Sequence, residues 1–123
     1  MRPLLRLQHA DVIVSLQQDD GLLAADSSIW EVHLNGNERR FAYTSMAAAR
    51  GLCDAAVLAE ALGESLDASR YQTAGERTRD AIGTLLIDDN GALGQSLEDV
   101  QAGQNYADAA AVEAVNWGLV APD

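Results

Sequence analysis

Between Phe41 and Leu62 the chain reads FAYTSMAAARGLCDAAVLAEAL, and after Ser45 its only charged positions are Arg50, Asp54 and Glu60. A helix that is apolar or small nearly all the way round is stable only when neighbouring elements cover most of its sides. The run therefore excludes a lone solvated helix and predicts an inner helix of a layered helical architecture. Gly63 follows where a glycine C-terminal cap belongs. Arg50 and Asp54, four residues apart, are spaced to pair on the remaining polar strip.

Periodicity elsewhere is helical too, and no segment reads convincingly as a strand. A first helix is expected over about Leu4–Gln18, with Leu5, Val12 and Leu16 on one stripe and Leu4 and Ile13 beside it. His9 falls on that stripe, where a packed core or boundary position is the expectation rather than a ligand. Asp19, Asp20 and Gly21 stop this helix. A third helix, about Leu66–Ile87, is amphipathic: Tyr71, Ala74, Thr78, Ala81, Ile82 and Leu85 share a face, opposite Arg70, Glu76, Arg77, Arg79 and Asp80. The sequence DDNG at 88–91 reads as a turn, because the acidic ladder and closing Glu of a calcium loop are missing. The stretch Ala92–Asn105 is expected to be loop, and a last helix to run over about Tyr106–Trp117. An all-round apolar helix beside an amphipathic one fits both a barrel of helical hairpins and a plain antiparallel bundle.

The formal net charge is −11, from 19 acidic against 8 basic residues, and every basic residue is Arg. Such a surface repels phosphate backbones and anionic membranes, which argues against a nucleic-acid or membrane partner and leaves neutral ligands unopposed. Hydrophobic residues make up 48% of the chain but aromatics only 5%, so the apolar mass is Ala, Leu and Val, as in close-packed helices. Cys53 is the single cysteine; it admits neither an internal disulfide nor a cysteine metal cluster, and is expected to be a small core residue. No metal or cofactor is expected, since no phosphate-cradling glycine motif is present and no serine elbow accompanies the histidines. The N-terminus, MRPLLRLQHADVIV, is broken by Gln8, His9 and Asp11, lacks a signal-peptide core and is too polar to span a membrane. A cytoplasmic location is the expectation.

The chemistry-bearing feature is the pair Trp30–Glu31, on a polar loop between the first two helices. By default such a pair is a buried ring beside a solvated carboxylate. A carboxyl held against an apolar ring is also more easily kept protonated, as a general acid attacking a glycosidic oxygen must be. The Asn35-Gly36 turn that follows is compatible with a short hairpin between the segments containing Val32 and Phe41.

The run SSIWEVHLNGNERRFAYTSMAAARGLCDAAVLAEALG, Ser27 to Gly63, resembles glycoside hydrolase family 15, which contains the glucoamylases and their glucodextranase-like and trehalase-like relatives. There a loop ending in a Trp-Glu pair carries the general acid, and an aromatic-x-Tyr-like segment, here Phe41 and Tyr43, opens a long alanine-rich helix. The resemblance continues more weakly through residues 75–96 and 106–123.

The resemblance implies an all-α fold, helical hairpins forming part of an (α/α)6 barrel. It implies Glu31 as catalytic acid, Trp30 and His33 as substrate-binding residues, and Tyr43 and Asp108 in supporting positions. Read from the residues alone, His33 is a solvated loop histidine and Asp108 a helix-terminal cap. The implied activity is inverting exo-hydrolysis of α-glucosidic bonds in malto-oligosaccharides or trehalose. Val32 stands where fungal glucoamylases place a second acid, which points to the bacterial branch. Inversion needs a second carboxylate about 6.5–9.5 Å from the acid, which the family carries on a hairpin near the barrel's C-terminal end. Residues 1–123 are accordingly expected to form a single partial domain, a fragment inactive alone. Its expected partners are an oligosaccharide or disaccharide substrate and either the missing C-terminal hairpins or a second copy of itself. A non-catalytic helical interaction module, or a degenerate glycosidase-like domain, is the alternative.

Overall fold

The computed structural model describes residues 4–29, 36–106 and 109–121. Three helices make up most of it: α1 (Leu4–Leu16), α2 (Ala42–Ala61) and α3 (Ser65–Leu85). A short α4 (Leu97–Ala102) follows, then a 3-10 turn (Ala109–Val112) leading into one turn of α5 (Glu113–Asn116). Among the described residues the fold is all-α. Its chain reversals are closed by isolated antiparallel bridges, Gln17 to Leu23, Asp26 to Arg39, Phe41 to Ser96 and Ile87 to Leu93.

The short link from α2 to α3 makes these two an antiparallel hairpin. Leu62 ends α2, Gly63 takes φ +77, and the amides of Gly63 and Glu64 bond back to the carbonyls of Glu60 and Ala59. That is the paired bonding of a Schellman cap, and it requires the left-handed residue that glycine supplies cheaply. Along the hairpin the two backbones approach closely at Gly75, where a Cβ would lie 3.2 Å from the Leu52 Cβ and 3.3 Å from the Ala49 carbonyl oxygen.

α2 feeds two core clusters. One gathers Ala42, Met46 and Ala49 with Leu22, Ile82, Leu86, Ala114 and Leu119; the other gathers Leu52, Ala56 and Ala59 with Ala10, Ala68, Tyr71 and Ala74. The amphipathic face of α3 is buried as its spacing predicts, with Arg70, Glu76, Arg77, Arg79 and Asp80 outside. Arg50 and Asp54 pair at 3.0 Å on the exposed side of α2. The cover of α2 leaves one strip open: Arg50 and Asp54 lie on it with Val57, which is 71% exposed, and Leu58, also exposed; Leu66, at the start of α3, is 89% exposed.

α1 lies parallel to α3 and is tied to it by polar bonds. The Tyr71 hydroxyl donates to Asp11 at 2.7 Å, Arg70 pairs with the same carboxylate at 2.5 Å, and the Gln17 amide donates to Thr78 Oγ1 at 2.7 Å and to the Ala74 carbonyl at 2.8 Å. This changes the expected stripe of α1. Ala10 is buried and Ile13 and Val14 are half-buried, whereas Val12, Leu16 and His9 are exposed. The Asp11 and Gln17 contacts set the rotation of the helix, so His9 is neither a core nor a boundary residue.

Three further expectations change. Residues 92–105, expected to be loop, contain α4, nucleated by Ser96: its Oγ accepts from the Asp99 amide at 3.1 Å. The spacing Ser96-x-x-Asp99 is a capping-box pattern whose acid sits in the first turn. The final helix is shorter than Tyr106–Trp117, being a 3-10 turn and a single α turn. Cys53 is half-buried rather than fully enclosed. Residues 88–91 do form a turn, with the Asp88 carboxylate accepting from the amides of Asn90 and Ala92 at 2.9 Å each.

Candidate active site

The loop between α1 and α2 begins with a turn that only glycine fits. Gly21 has φ +96, and a Cβ there would lie 2.8 Å from the Arg77 carbonyl oxygen. Its own carbonyl accepts from the buried Thr78 hydroxyl at 2.7 Å, and Arg77 donates to the Asp19 carbonyl. The chain then passes under α2, where the Leu23 amide donates to buried Ser45 Oγ at 3.1 Å.

Asp26 and Arg39 close the loop. Each donates its amide to the other's carbonyl at 2.9 Å, so residues 27–38 leave and re-enter the molecule through one paired stem. The Asp26 carboxylate accepts from Thr44 Oγ1 at 2.9 Å, in the first turn of α2, and from the Ser28 amide at 3.1 Å. The pairing that closes the excursion is Asp26 with Arg39; Val32 and Asn35, on which the expected short hairpin rests, lie outside the described residues.

The two arginines at the returning end have different carboxylate partners. Arg39 Nη1 donates to Asp99 Oδ1 at 2.6 Å. Arg40 forms a two-pronged pair with Asp20, both bonds 2.6 Å, and donates from Nε to the Leu23 carbonyl at 3.1 Å, while its amide donates to the Glu98 carboxylate. The backbone then continues as a bridge, with the Leu97 amide bonded to the Arg40 carbonyl at 3.0 Å and the Ala42 amide to the Gln95 carbonyl at 2.9 Å.

These pairs set the local electrostatics. Arg40's hydrogen bonds hold the Asp20 carboxyl below its ordinary value against a smaller opposing push from burial, and Asp20 in turn raises the Arg40 guanidinium. Asp99 is fully buried. Burial pushes its carboxyl up, but hydrogen bonds from Ser96 and Asn105, together with the charge and hydrogen bond of Arg39, outweigh that and leave it below the usual carboxylate range. A buried carboxylate persists only with such partners.

Tyr43, in the first turn of α2, is half-buried and packs against Trp117, with ring centroids 5.8 Å apart and planes inclined by 55°. It forms a wall shared by two open hollows. One, about 350 Å³, is bordered by Ile13, Asp26, Ser28, Ile29 and Thr44; the other, about 670 Å³, by Arg50, Asp54, Asn116 and Trp117. Ser28 lines the first with a left-handed backbone, φ 52, and its Oγ is buried without a hydrogen-bond partner among the described residues. Among the described residues no group of His, Cys, Asp and Glu is arranged to hold a metal ion. No described helix is long and apolar enough to cross a membrane.

Of the residues singled out in the sequence, Tyr43 lies at the loop's foot. Glu31, Trp30, His33 and Asp108 lie outside the described residues. The structure adds Asp26, Arg39, Arg40, Asp20 and Asp99, which sequence reasoning passed over. The signals were present: two adjacent arginines in a chain with 8 basic residues, and the Ser96-x-x-Asp99 cap.

No significant match to the chain emerges among curated proteins or among solved structures. The family comparison is positive: the profile of Glycosyl hydrolases family 15 matches residues 22–123, a span that includes Trp30 and Glu31. The loop stem, the hairpin of α2 and α3 and the α4 region all fall within that match, and the chain belongs to glycosyl hydrolase family 15.

Proposed function

We propose that this chain contributes the general-acid side of an α-glucosidic hydrolase site, with Glu31 as proton donor to the departing glycosidic oxygen. The observation that carries the reading is the family match, which includes the Trp30–Glu31 loop. Supporting it, the Asp26–Arg39 pair closes a loop of the kind that presents a reactive side chain from a fixed base.

In this mechanism Trp30 provides the apolar surface that favours the protonated carboxyl and stacks on a sugar ring. Proton transfer from Glu31 neutralises the leaving alkoxide as the bond to the anomeric carbon lengthens. A water on the opposite face, activated by a second carboxylate, completes the inversion. That base would come from a further hairpin of the (α/α)6 barrel, outside residues 1–123. Substrates would be malto-oligosaccharides or trehalose, with His33 at the pocket rim, and Tyr43 and Asp108 supporting the wall. Glucose release from maltotriose and trehalose tests the reading, using this chain extended by the C-terminal hairpins of a family member. Release supports it; no release from a folded, soluble extension contradicts it.

One observation favours a second reading, a non-catalytic helical module. Val57, Leu58 and Leu66 form an exposed apolar edge at the α2–α3 turn, of a kind that marks contact with another protein surface. Association in solution without any glycosidase activity in the extended chain would select that reading.

A further inference from the structure

Two chain reversals in the molecule are copies of one another. After α1 the Gln18 amide donates to the Leu22 carbonyl at 2.8 Å, the Gly21 amide to the Gln18 carbonyl at 3.0 Å and the Ala24 amide to the Leu16 carbonyl at 3.0 Å. After α3 the Asp88 amide donates to the Ala92 carbonyl, the Gly91 amide to the Asp88 carbonyl and the Gly94 amide to the Leu86 carbonyl, each at 2.9 Å. Each donor and acceptor of the second set stands seventy positions after its counterpart in the first, and so do the bridges Gln17 to Leu23 and Ile87 to Leu93. Both turns put glycine in the left-handed region at the same corner, Gly21 at φ +96 and Gly91 at φ +81. This is the three-residue loop in which a type I turn is closed by a left-handed residue.

The copies differ in what lies against them. The first is seated on α3: Gly21 is buried, a Cβ there would lie 2.8 Å from the Arg77 carbonyl oxygen and 3.0 Å from the Ala81 Cβ, and its carbonyl accepts from Thr78 Oγ1 at 2.7 Å. Gly91 is exposed, no described residue lies within 4 Å of a Cβ built on it, and no described residue donates to its carbonyl. The helix seated on the first turn is the second long helix downstream of it, reached after α2. Downstream of the second turn, α5 takes the place of α2 and puts Ala114 into the core beside Met46. Repeated units of this kind bury their open faces against the next copy.

We propose that the turn at 88–92 is the seat of a further helix, the one that follows α5 in the extended chain and packs on Gly91 as α3 packs on Gly21. The proposal rests on the hydrolase reading only for the source of that helix. The occupant needs a small residue against Gly91, in the role of Ala81, and three residues earlier a donor for the Gly91 carbonyl, in the role of Thr78. The α3 of a second copy cannot supply them, because its Thr78 is fully buried and its Arg77 is bound to the Asp19 carbonyl of its own turn.

The test compares the two glycines. The chain is labelled with 15N-glycine, alone and extended by the C-terminal hairpins of a family member, and a soluble gadolinium chelate broadens the amides that solvent reaches. The Gly91 and Gly21 signals are assigned by their loss in Gly91→Ala and Gly21→Ala. Expected is strong broadening of Gly91 in the chain alone, reduced to the level of buried Gly21 in the extended chain. Gly91→Ala supplies a second reading: in the chain alone it adds only left-handed strain, whereas in the extended chain its Cβ meets the seated helix and lowers the melting temperature as far as Gly21→Ala does. Equal broadening of Gly91 in both folded proteins, or equal tolerance of Gly91→Ala in both, overturns the proposal. Shielding of Gly91 in the chain alone as its concentration rises also overturns it, by giving the seat to a second copy. Neither readout uses hydrolysis: a shielded Gly91 in an extended chain that releases no glucose keeps the seat and removes the hydrolase reading, and release with an exposed Gly91 does the reverse.

Discussion

Asp26 and Arg39 exchange two backbone hydrogen bonds of 2.9 Å, and this single pair turns the long connection between α1 and α2 into a closed loop with a defined base. Around it the side chains divide the work: Asp26 reaches the first turn of α2 through Thr44, while Arg39 reaches α4 through Asp99. The base of the loop is thus tied to the inner helix and to a segment some sixty residues away in sequence.

Ser28 bears the cost of that geometry. Its left-handed φ of 52 and its buried hydroxyl, which has no hydrogen-bond partner among the described residues, are both unfavourable. Ser28→Gly is expected to raise stability by about 1 kcal/mol, the gain from relieving left-handed strain being partly offset by the greater freedom of glycine in the unfolded chain. Urea denaturation followed by circular dichroism checks this, and a lower midpoint would contradict it.

At Gly21 the expectation has the opposite sign. Gly21→Ala must place a Cβ 2.8 Å from the Arg77 carbonyl while holding φ +96, which displaces the turn from α3. Loss of about 2 kcal/mol or more is expected from strain and overpacking together. Thermal melting of the variant is the measurement.

Acid should unfold the protein through its paired carboxylates. Asp20 and Asp99 both titrate below their ordinary values in the folded chain, so each contributes stability that is fully present above the unfolded pKa of about 3.9 and is lost as the pH falls through the lower folded value. Asp11, held down by hydrogen bonds from Tyr71 and Arg70, acts in the same direction. Stability measured from pH 5 down to pH 2 is expected to fall, and more gently in Asp20→Asn, which has lost one of these groups. An identical slope in that variant would contradict the pairing.

The apolar edge at the α2–α3 turn makes a prediction about solution behaviour. Val57→Glu and Leu66→Glu are expected to reduce self-association in light scattering without lowering the melting temperature, since both side chains are largely exposed in the monomer. A monomeric parent, unaffected by either change, would show that the edge does not mediate association between copies.

Much of this architecture is legible in the sequence where local pattern dominates. The run from Phe41 to Leu62 announces a helix by composition, Gly63 its end by backbone conformation, and the Tyr71 to Leu85 spacing the buried face of α3. Legibility fails where a long-range polar bond overrides a local pattern. The stripe Val12–Leu16 loses to the rotation imposed by Asp11 with Tyr71 and by Gln17 with Thr78, residues some sixty positions away. α4 was obscured because six residues give too little periodicity, although its Ser96 cap is visible. Arg39 and Arg40 drew no reading from the sequence, since their partners Asp99 and Asp20 are distant in it. The proposed role of Trp30 and Glu31 rests on family resemblance rather than on spacing.

The central claim is that Glu31 supplies the proton, and its most direct test is the rate of glucose release from maltotriose by the extended chain, compared with its Glu31→Gln variant. Glutamine keeps the size and hydrogen-bonding capacity of the side chain but has no proton to give. The expected result is a loss of kcat of about 10²–10⁴-fold with an unchanged melting temperature. Equal rates in the two proteins would contradict it.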